Sequence, residues 1–516
     1  MENIYEKKHI KFGEILAYSL GLFGLQTIMF YLNSYFAEFL NMTTGANLAI
    51  VGIILLLAKV VSAIFDPIVG NLIEGKKQGK NGKFKPFIIY SLIPIVILTI
   101  AMFIKVPFRG AGLYVYIFVL YTLWCISITV GDVPSQGISA VLTPNPTERT
   151  NVISISNTFK SIGQSAPFVI VPIICLCIKG GAGFEGKISA TEYLVNAIFI
   201  AIAGAGLLSL IFFFNKERVP YTSNKMSFKD MFTILKHNKP LMLIVLSYFL
   251  GFGRQLAMGI QVQAAVSILG SANKLLIIAL PTGIGTMISM ALCPLLIKKF
   301  NEKNTFIALS VYGFIISLAT YFVGFSNIYV MLVFLFLLGL QFGAVNILPI
   351  VMVADSVDYY ESKTGKRTEG VAYAVLTFAI KVTLAMGIAL GLILLSVFKY
   401  DASIEPSAIP QSVKKGVYFS YTVVPGITSL LACIPILFYN LVGKTKKDIT
   451  DKLQQQREGN SAQDSAKPPV APNSEPTEVK AEIVTNPAII EQVKNIEASD
   501  DIVTFEDVKN IEHLDK

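Results

Sequence analysis

Lys59, Ser62 and Asp66 stand at positions i, i+3 and i+7 of a stretch that is otherwise hydrocarbon, AKVVSAIFDPIVG. That spacing puts an ammonium, a hydroxyl and a carboxylate on one face of a helix. Thr129, Asp132 and Gln136 repeat the spacing further on, and Asn157 with Lys160, Arg254 with Gln255, and Lys381 add polar groups to three more apolar stretches. An ionised side chain in the middle of a membrane helix costs roughly 2.5 to 3.5 kcal/mol even on lenient insertion scales, so such groups persist where they have a partner, a cavity and a task. Each has a structural alternative: Lys59 pairing with Asp66 as a lock between helices, Lys160 reaching back to the interface, Arg254 serving as a gate. Together, on several helices, they describe a polar, partly hydrated central site. A carboxylate near a lysine there exchanges partners when a proton or metal cation binds it, which is the logic of symport. Four deep cations (Lys59, Lys160, Arg254, Lys381) against two deep acids (Asp66, Asp132) point to an anionic solute.

Other chemistries lack their residues. The three histidines, His9, His237 and His513, lie outside the apolar stretches, so no His-rich metal centre is expected. Gly443-Lys444-Thr445 has Phe438 where a phosphate loop needs glycine five positions earlier. No nucleophile and base come together, so an enzyme is not expected, and neither is a resident cofactor. Cys125, Cys175, Cys177, Cys293 and Cys433 all sit within apolar runs and imply no disulfide framework.

The elements that must carry these residues are membrane helices. The chain of 516 residues is 53% hydrophobic and 15% charged, against about 25% charged in soluble domains. Apolar segments of about 20 residues or more fall at 14–40, 46–74, 88–106, 113–141, 151–178 and 192–214, then at 241–268, 273–298, 304–324, 328–354, 370–398 and 416–442. This predicts an all-α integral membrane protein with twelve transmembrane helices in two six-helix halves, residues 1–214 and 241–442. The first segment itself directs insertion, with no removed leader.

Loops retaining Lys and Arg face the cytoplasm. Those after the second, sixth, eighth and tenth segments are basic (Lys76 to Lys85; Lys216 to Lys239; Lys298 to Lys303; Lys363 to Arg367), whereas those after the first and ninth carry no Lys or Arg. Both termini are expected in the cytoplasm. The loops after the fifth and eleventh segments are mildly basic exceptions. The net charge of +9 therefore reports orientation in a lipid bilayer and no nucleic-acid partner. Between the halves, 215–240 is a cytoplasmic linker in which Phe228, Phe232 and Leu235 share a side, the pattern of an interfacial amphipathic helix. From 443 to 516 the chain turns polar and proline-rich, which reads as a mostly disordered cytoplasmic tail.

Several motifs sharpen this. Asp66-Pro67-Ile68-Val69-Gly70 is followed by Gly82-Lys83-Phe84-Lys85-Pro86; Tyr121-Thr122-Leu123-Trp124 leads to Asp132-Val133-Pro134 and then Thr147-Glu148-Arg149. Ser227 to Pro240, Ala354 to Tyr359, and Ala372-Tyr373-Ala374-Val375 leading to Lys381 continue the pattern. The chain resembles the glycoside-pentoside-hexuronide:cation symporters of the major facilitator superfamily, typified by the melibiose carrier, over nearly the whole helical region and not the tail. The resemblance implies a major facilitator fold, a cation site at Asp66 and Thr129, Lys381 linking it to the sugar site, and Asp132 on the sugar. It also marks departures. Ser62 stands where the family's first cation-site carboxylate falls and Phe65 where its asparagine does, which makes a proton on Asp66 a simpler proposal than sodium. Gln26, Gln136 and Asn157 replace a carboxylate, an aromatic platform and an arginine of the galactoside site.

The expected function is symport of a sugar, glycoside or hexuronide with a proton or sodium ion across the cytoplasmic membrane, by a chain that works as a monomer. Asp66, Thr129, Ser62 and Lys381 form the coupling set; Gln26, Asp132, Gln136, Asn157, Arg254 and Lys59 form the solute set. The alternatives are a major-facilitator transporter of a non-sugar organic anion, and a non-transporting sensor that signals through the tail.

Overall fold

The computed structural model describes residues 9–75, 79, 82–179, 187–219, 228–365, 368–449 and 451–453. Among them regular structure is helical: α1 (Phe12–Thr44), α2 (Leu48–Gly75), α3 (Lys85–Met102), α4 (Ala111–Val141), α5 (Pro146–Ser165), α6 (Pro167–Lys179), α7 (Ala190–Phe214), α8 (Phe228–His237), α9 (Lys239–Leu250), α10 (Leu256–Leu269), α11 (Leu275–Val323), α12 (Ile328–Thr364), α13 (Glu369–Val397) and α14 (Gln411–Leu437). Nine helices among the described residues are long and apolar enough to cross a membrane, and two bent pairs make up to eleven.

The bends fall where the sequence interrupts the ladder. The α5–α6 pair turns by 43° where Pro167 lacks an N–H and disfavours helical geometry in the residue before it. The α9–α10 pair turns by 49° through Gly251-Phe252-Gly253, a short 3-10 turn with little side-chain constraint. α11 is broken at Asn301 (φ 65°, ψ 168°). The Thr305 hydroxyl donates to the carbonyl of Leu296 at 3.2 Å, whereas nine residues of continuous helix would span roughly 13 Å, so the chain folds back there. Each arm of α11 is long enough to span.

Helices in a bilayer gain little from hydrophobic contact with one another and pack closely where side chains are small. A Cβ on Gly339 would overlap the carbonyl of Thr282, and one on Gly343 that of Thr286, so α11 and α12 touch backbone to backbone. Gly24 meets Gly204 in the same way between α1 and α7. Between the two sets of helices, Gly52 of α2 lies against Ala389 of α13, whose carbonyl a Cβ would crowd. Residues Met1–Thr450 form one compact unit.

Three ties hold the end of the bundle that carries the chain's beginning and the link between its halves. Glu217 accepts from the backbone N–H groups of Lys83, Phe84 and Lys85 at 2.6, 2.9 and 3.1 Å, satisfying donors at the start of α3. Arg218 grips Glu14 through two guanidinium nitrogens at 2.7 and 2.8 Å. Glu148, from the Thr147-Glu148-Arg149 motif, accepts from the Ile10 N–H and the Thr143 hydroxyl at 2.8 and 2.6 Å. Residues 444–449 form a short helix whose Lys446 ammonium bridges Glu302 and Asp355 at 2.6 and 2.8 Å. Burial lowers the affinity of Lys446 for its proton, but the hydrogen bonds and charges of Asp355 and Glu302 outweigh it and the net shift is upward. Lys76, Lys77, Lys80, Lys225, Lys366, Arg367 and the tail from 454 onward lie outside the described residues.

The opposite end, at the α1–α2 loop, is tied across the seam between α1–α7 and α9–α14. Tyr400 donates to Glu38 at 2.8 Å, the Ala402 N–H to Asn41 at 2.7 Å, Gln261 to Ser34 at 2.9 Å and Ser396 to Asn47 at 3.2 Å. Lys187 reaches the Ser403 carbonyl at 2.5 Å.

Candidate functional site

Midway along α2 and α4 the two i, i+3, i+7 faces meet. The hydroxyls of Ser62 and Thr129 lie 3.0 Å apart, Thr129 donates to Asp66 Oδ1 at 3.3 Å, and Ser62 Oγ lies 3.3 Å from the Cys125 carbonyl. The other oxygen of Asp66 receives the ammonium of Lys381, from α13, at 2.6 Å. Four sequence-predicted residues are thereby brought into one network, and its strongest contact crosses the seam. A charge-assisted bond of this length is about twice as strong as a neutral one.

The network borders a cavity of about 80 Å³ lined by Met29, Asn33, Lys59, Ser62, Trp124, Thr129, Asp132 and Lys381, among others. Asp132 Oδ2 accepts from Gln136 at 2.9 Å, while its Oδ1 is buried with no hydrogen-bond partner. Lys59 donates to Asn33 Oδ1 at 2.8 Å, and the Tyr121 hydroxyl donates to the same oxygen at 3.3 Å. The indole N–H of Trp124 is satisfied by Thr99 at 2.9 Å, and the ring forms part of the cavity wall.

Three other predicted residues lie elsewhere. Gln26 is buried within α1 beside Met29 Sδ at 3.9 Å and does not line the cavity. Asn157 is exposed on α5. Arg254 is buried among the C-terminal helices, donating to the Gly251 carbonyl at 3.1 Å with its guanidinium carbon 5.4 Å from the Tyr248 ring centre. Sequence reasoning missed Asn33, although it lies seven residues after Gln26 on the same face of α1, and it missed Glu38, whose partner Tyr400 is 362 residues away.

A helical membrane bundle with a mid-depth cavity that a few charged and hydroxyl-bearing side chains border, closed at one end across a seam between two sets of helices, has the architecture of a secondary transporter. The family described as MFS/sugar transport protein matches residues 17–443, and the chain belongs to it, among the glycoside-pentoside-hexuronide cation symporters. The isoprimeverose transporter of Lactiplantibacillus pentosus is 25% identical over 478 residues, 90% of this chain and 96% of that protein. The glucuronide carrier protein homolog of Escherichia coli (strain K12) is 25% identical over 462 residues, 87% of this chain and 97% of that protein. The fold matches the crystal structure of a D-xylose-proton symporter with a TM-score of 0.58 at 15% identity, covering 84% of this chain and 98% of that one. The chain is a multi-pass membrane transporter of the cation-coupled sugar symport class.

Proposed function

We propose that Asp66 is the coupling carboxylate and that the coupled cation is a proton. The observation that carries this is the position of Asp66 between Thr129 on its own side of the seam and Lys381 on the other. Ionised, Asp66 holds Lys381 and with it α13 against α2. A proton on Asp66 removes the attraction and frees the ammonium toward the cavity, where Asp132 and a bound solute compete for it. Proton and solute thus favour the same rearrangement, which is the requirement for symport. Sodium is the weaker reading, because Ser62 contributes a neutral hydroxyl where a second carboxylate would supply charge to a hard cation.

Asp132 and Gln136 receive sugar hydroxyls. Twelve spans in two sets of six carry the site in the cytoplasmic membrane with both termini inside, so the closed α1–α2 end faces outward. One chain is sufficient, since the seam lies within it. Solute-induced alkalinisation of the medium by proteoliposomes, with and without sodium, tests the ion. Alkalinisation that needs no sodium and disappears in Asp66→Asn supports the proposal; sodium-dependent uptake without proton movement would sink it.

A further inference from the structure

With Asp66 engaged by Lys381 and Thr129, Lys59 has no carboxylate within ion-pair distance among the described residues. The lock between Lys59 and Asp66 does not form: seven positions along one helix separate them by roughly 10 Å of rise. An ammonium carries three donors, and the bond to Asn33 accounts for one. Lys59 lines the cavity, and so does Asp132, whose Oδ1 is buried and unpartnered. Because Ser62 and Thr129 touch, they mark one level of the bundle. Lys59 lies three residues from Ser62 toward the α1–α2 loop and Asp132 three residues from Thr129 away from it. Along the helix axes these two groups, each with capacity to spare, stand roughly 9 Å apart.

We propose that Lys59 is the specificity-determining residue of this transporter: it receives a carboxylate or sulfonate group on a polyhydroxylated solute whose far hydroxyls donate to Asp132. The solute then lies with its anionic end toward the α1–α2 loop. Asn33 is the positioning residue, holding the ammonium on the cavity side with Tyr121 as its brace. A neutral sugar would leave an ammonium in a largely apolar cavity with one amide oxygen as its acceptor, and an incompletely satisfied charge there is costly. The inference rests on the symport reading above.

Trp124 is the single tryptophan of the chain and lines the cavity, so its emission reports binding in the purified full-length protein. The probes are D-glucuronate, D-galacturonate and sulfoquinovose, the neutral amides of the two uronates, and D-glucose and D-xylose. At least one acid is expected to bind about tenfold or more tightly than its neutral counterpart, a difference of about 1.4 kcal/mol. Lys59→Gln should erase that preference, and Lys59→Arg should keep it. A preference for neutral sugars in the unaltered protein, with proteoliposome uptake that still depends on Asp66, overturns the inference and leaves the symport reading standing. An acid preference that survives Lys59→Gln overturns it equally. If no probe changes the emission or is taken up, both fall.

Discussion

Lys381 and Asp66, 315 residues apart in the chain, bring an ammonium and a carboxylate to 2.6 Å across the seam between α13 and α2. Because each set of helices supplies one charge, the contact reports the relative position of the two sets as well as the protonation of the carboxylate. Asp66→Asn keeps the shape and a neutral acceptor for Thr129 but removes the charge. A gradient of one pH unit sustains about tenfold accumulation of a singly coupled solute. In the variant the inside-to-outside ratio is expected to fall to about one, while exchange of labelled for unlabelled solute continues. Flow dialysis or filtration uptake in energised vesicles measures both.

Ser62 sits 3.0 Å from the Thr129 hydroxyl, and Thr129 in turn donates to Asp66. A carboxylate there places two anions around one small space, which repel unless a cation joins them. Ser62→Asp is expected to make transport sodium-dependent, with at least about a tenfold fall in half-saturating sodium, equivalent to about 1.4 kcal/mol. Uptake against sodium concentration at fixed pH gives the answer.

Glu38 is 5% exposed, accepts from Tyr400 at 2.8 Å and leaves its second oxygen without a partner. Tyr400→Phe removes the bond from a group that burial already penalises. The loss of an ordinary hydrogen bond is worth about 0.5 to 1.5 kcal/mol, so the closed α1–α2 end should open about 2- to 13-fold more often. A cysteine placed at buried Ser267 of α10, in a background where exposed Cys177 is serine, should react correspondingly faster with a membrane-impermeant maleimide.

Lys446 bridges Glu302 and Asp355 and holds its proton more tightly than a free lysine. A cation whose folded value is raised stabilises fully below its unfolded value, about 10.4, and loses that contribution as pH climbs through the folded one. Lys446→Gln should therefore lower thermal stability at pH 8, with the gap closing in strong alkali. Its side chain is 37% exposed, so screening keeps the effect to about 0–1 kcal/mol. Melting curves in detergent across that range test the sign.

Much of this was legible in the residues themselves. The i, i+3, i+7 spacing on α2 and α4 is local geometry, and it placed Ser62 and Asp66 on one face of α2 and Thr129 and Asp132 on one face of α4 before any tertiary information. Lys381 stood out as a deep cation in its own apolar stretch, whereas its link to the cation site came through the family resemblance, since nothing in spacing alone joins residues so far apart. Arg254 was assigned to the solute only as an ionised group in an apolar stretch, and the turn through Gly251 and Gly253 places it among the C-terminal helices, away from the cavity. Gln26 was assigned by position in the family pattern and Asn157 both by that pattern and as a polar group in an apolar stretch, yet Asn157 is exposed on α5 and Gln26 is enclosed beside Met29. Glu38 escaped notice because its significance lies in Tyr400, a partner that only packing reveals.

Formal charges at the cavity cancel: Lys59 and Lys381 are matched by Asp132, which lines it with them, and by the neighbouring Asp66. Adding one proton and one singly anionic solute leaves that sum at zero, so the loaded and the empty carrier traverse the bilayer with equal charge. Membrane voltage, worth about 2.3 kcal/mol per charge for each 100 mV, then does no work on either passage. Such a carrier draws on the pH difference alone and runs undiminished in a depolarised cell, whereas a neutral sugar moved by the same residues would make every cycle electrogenic.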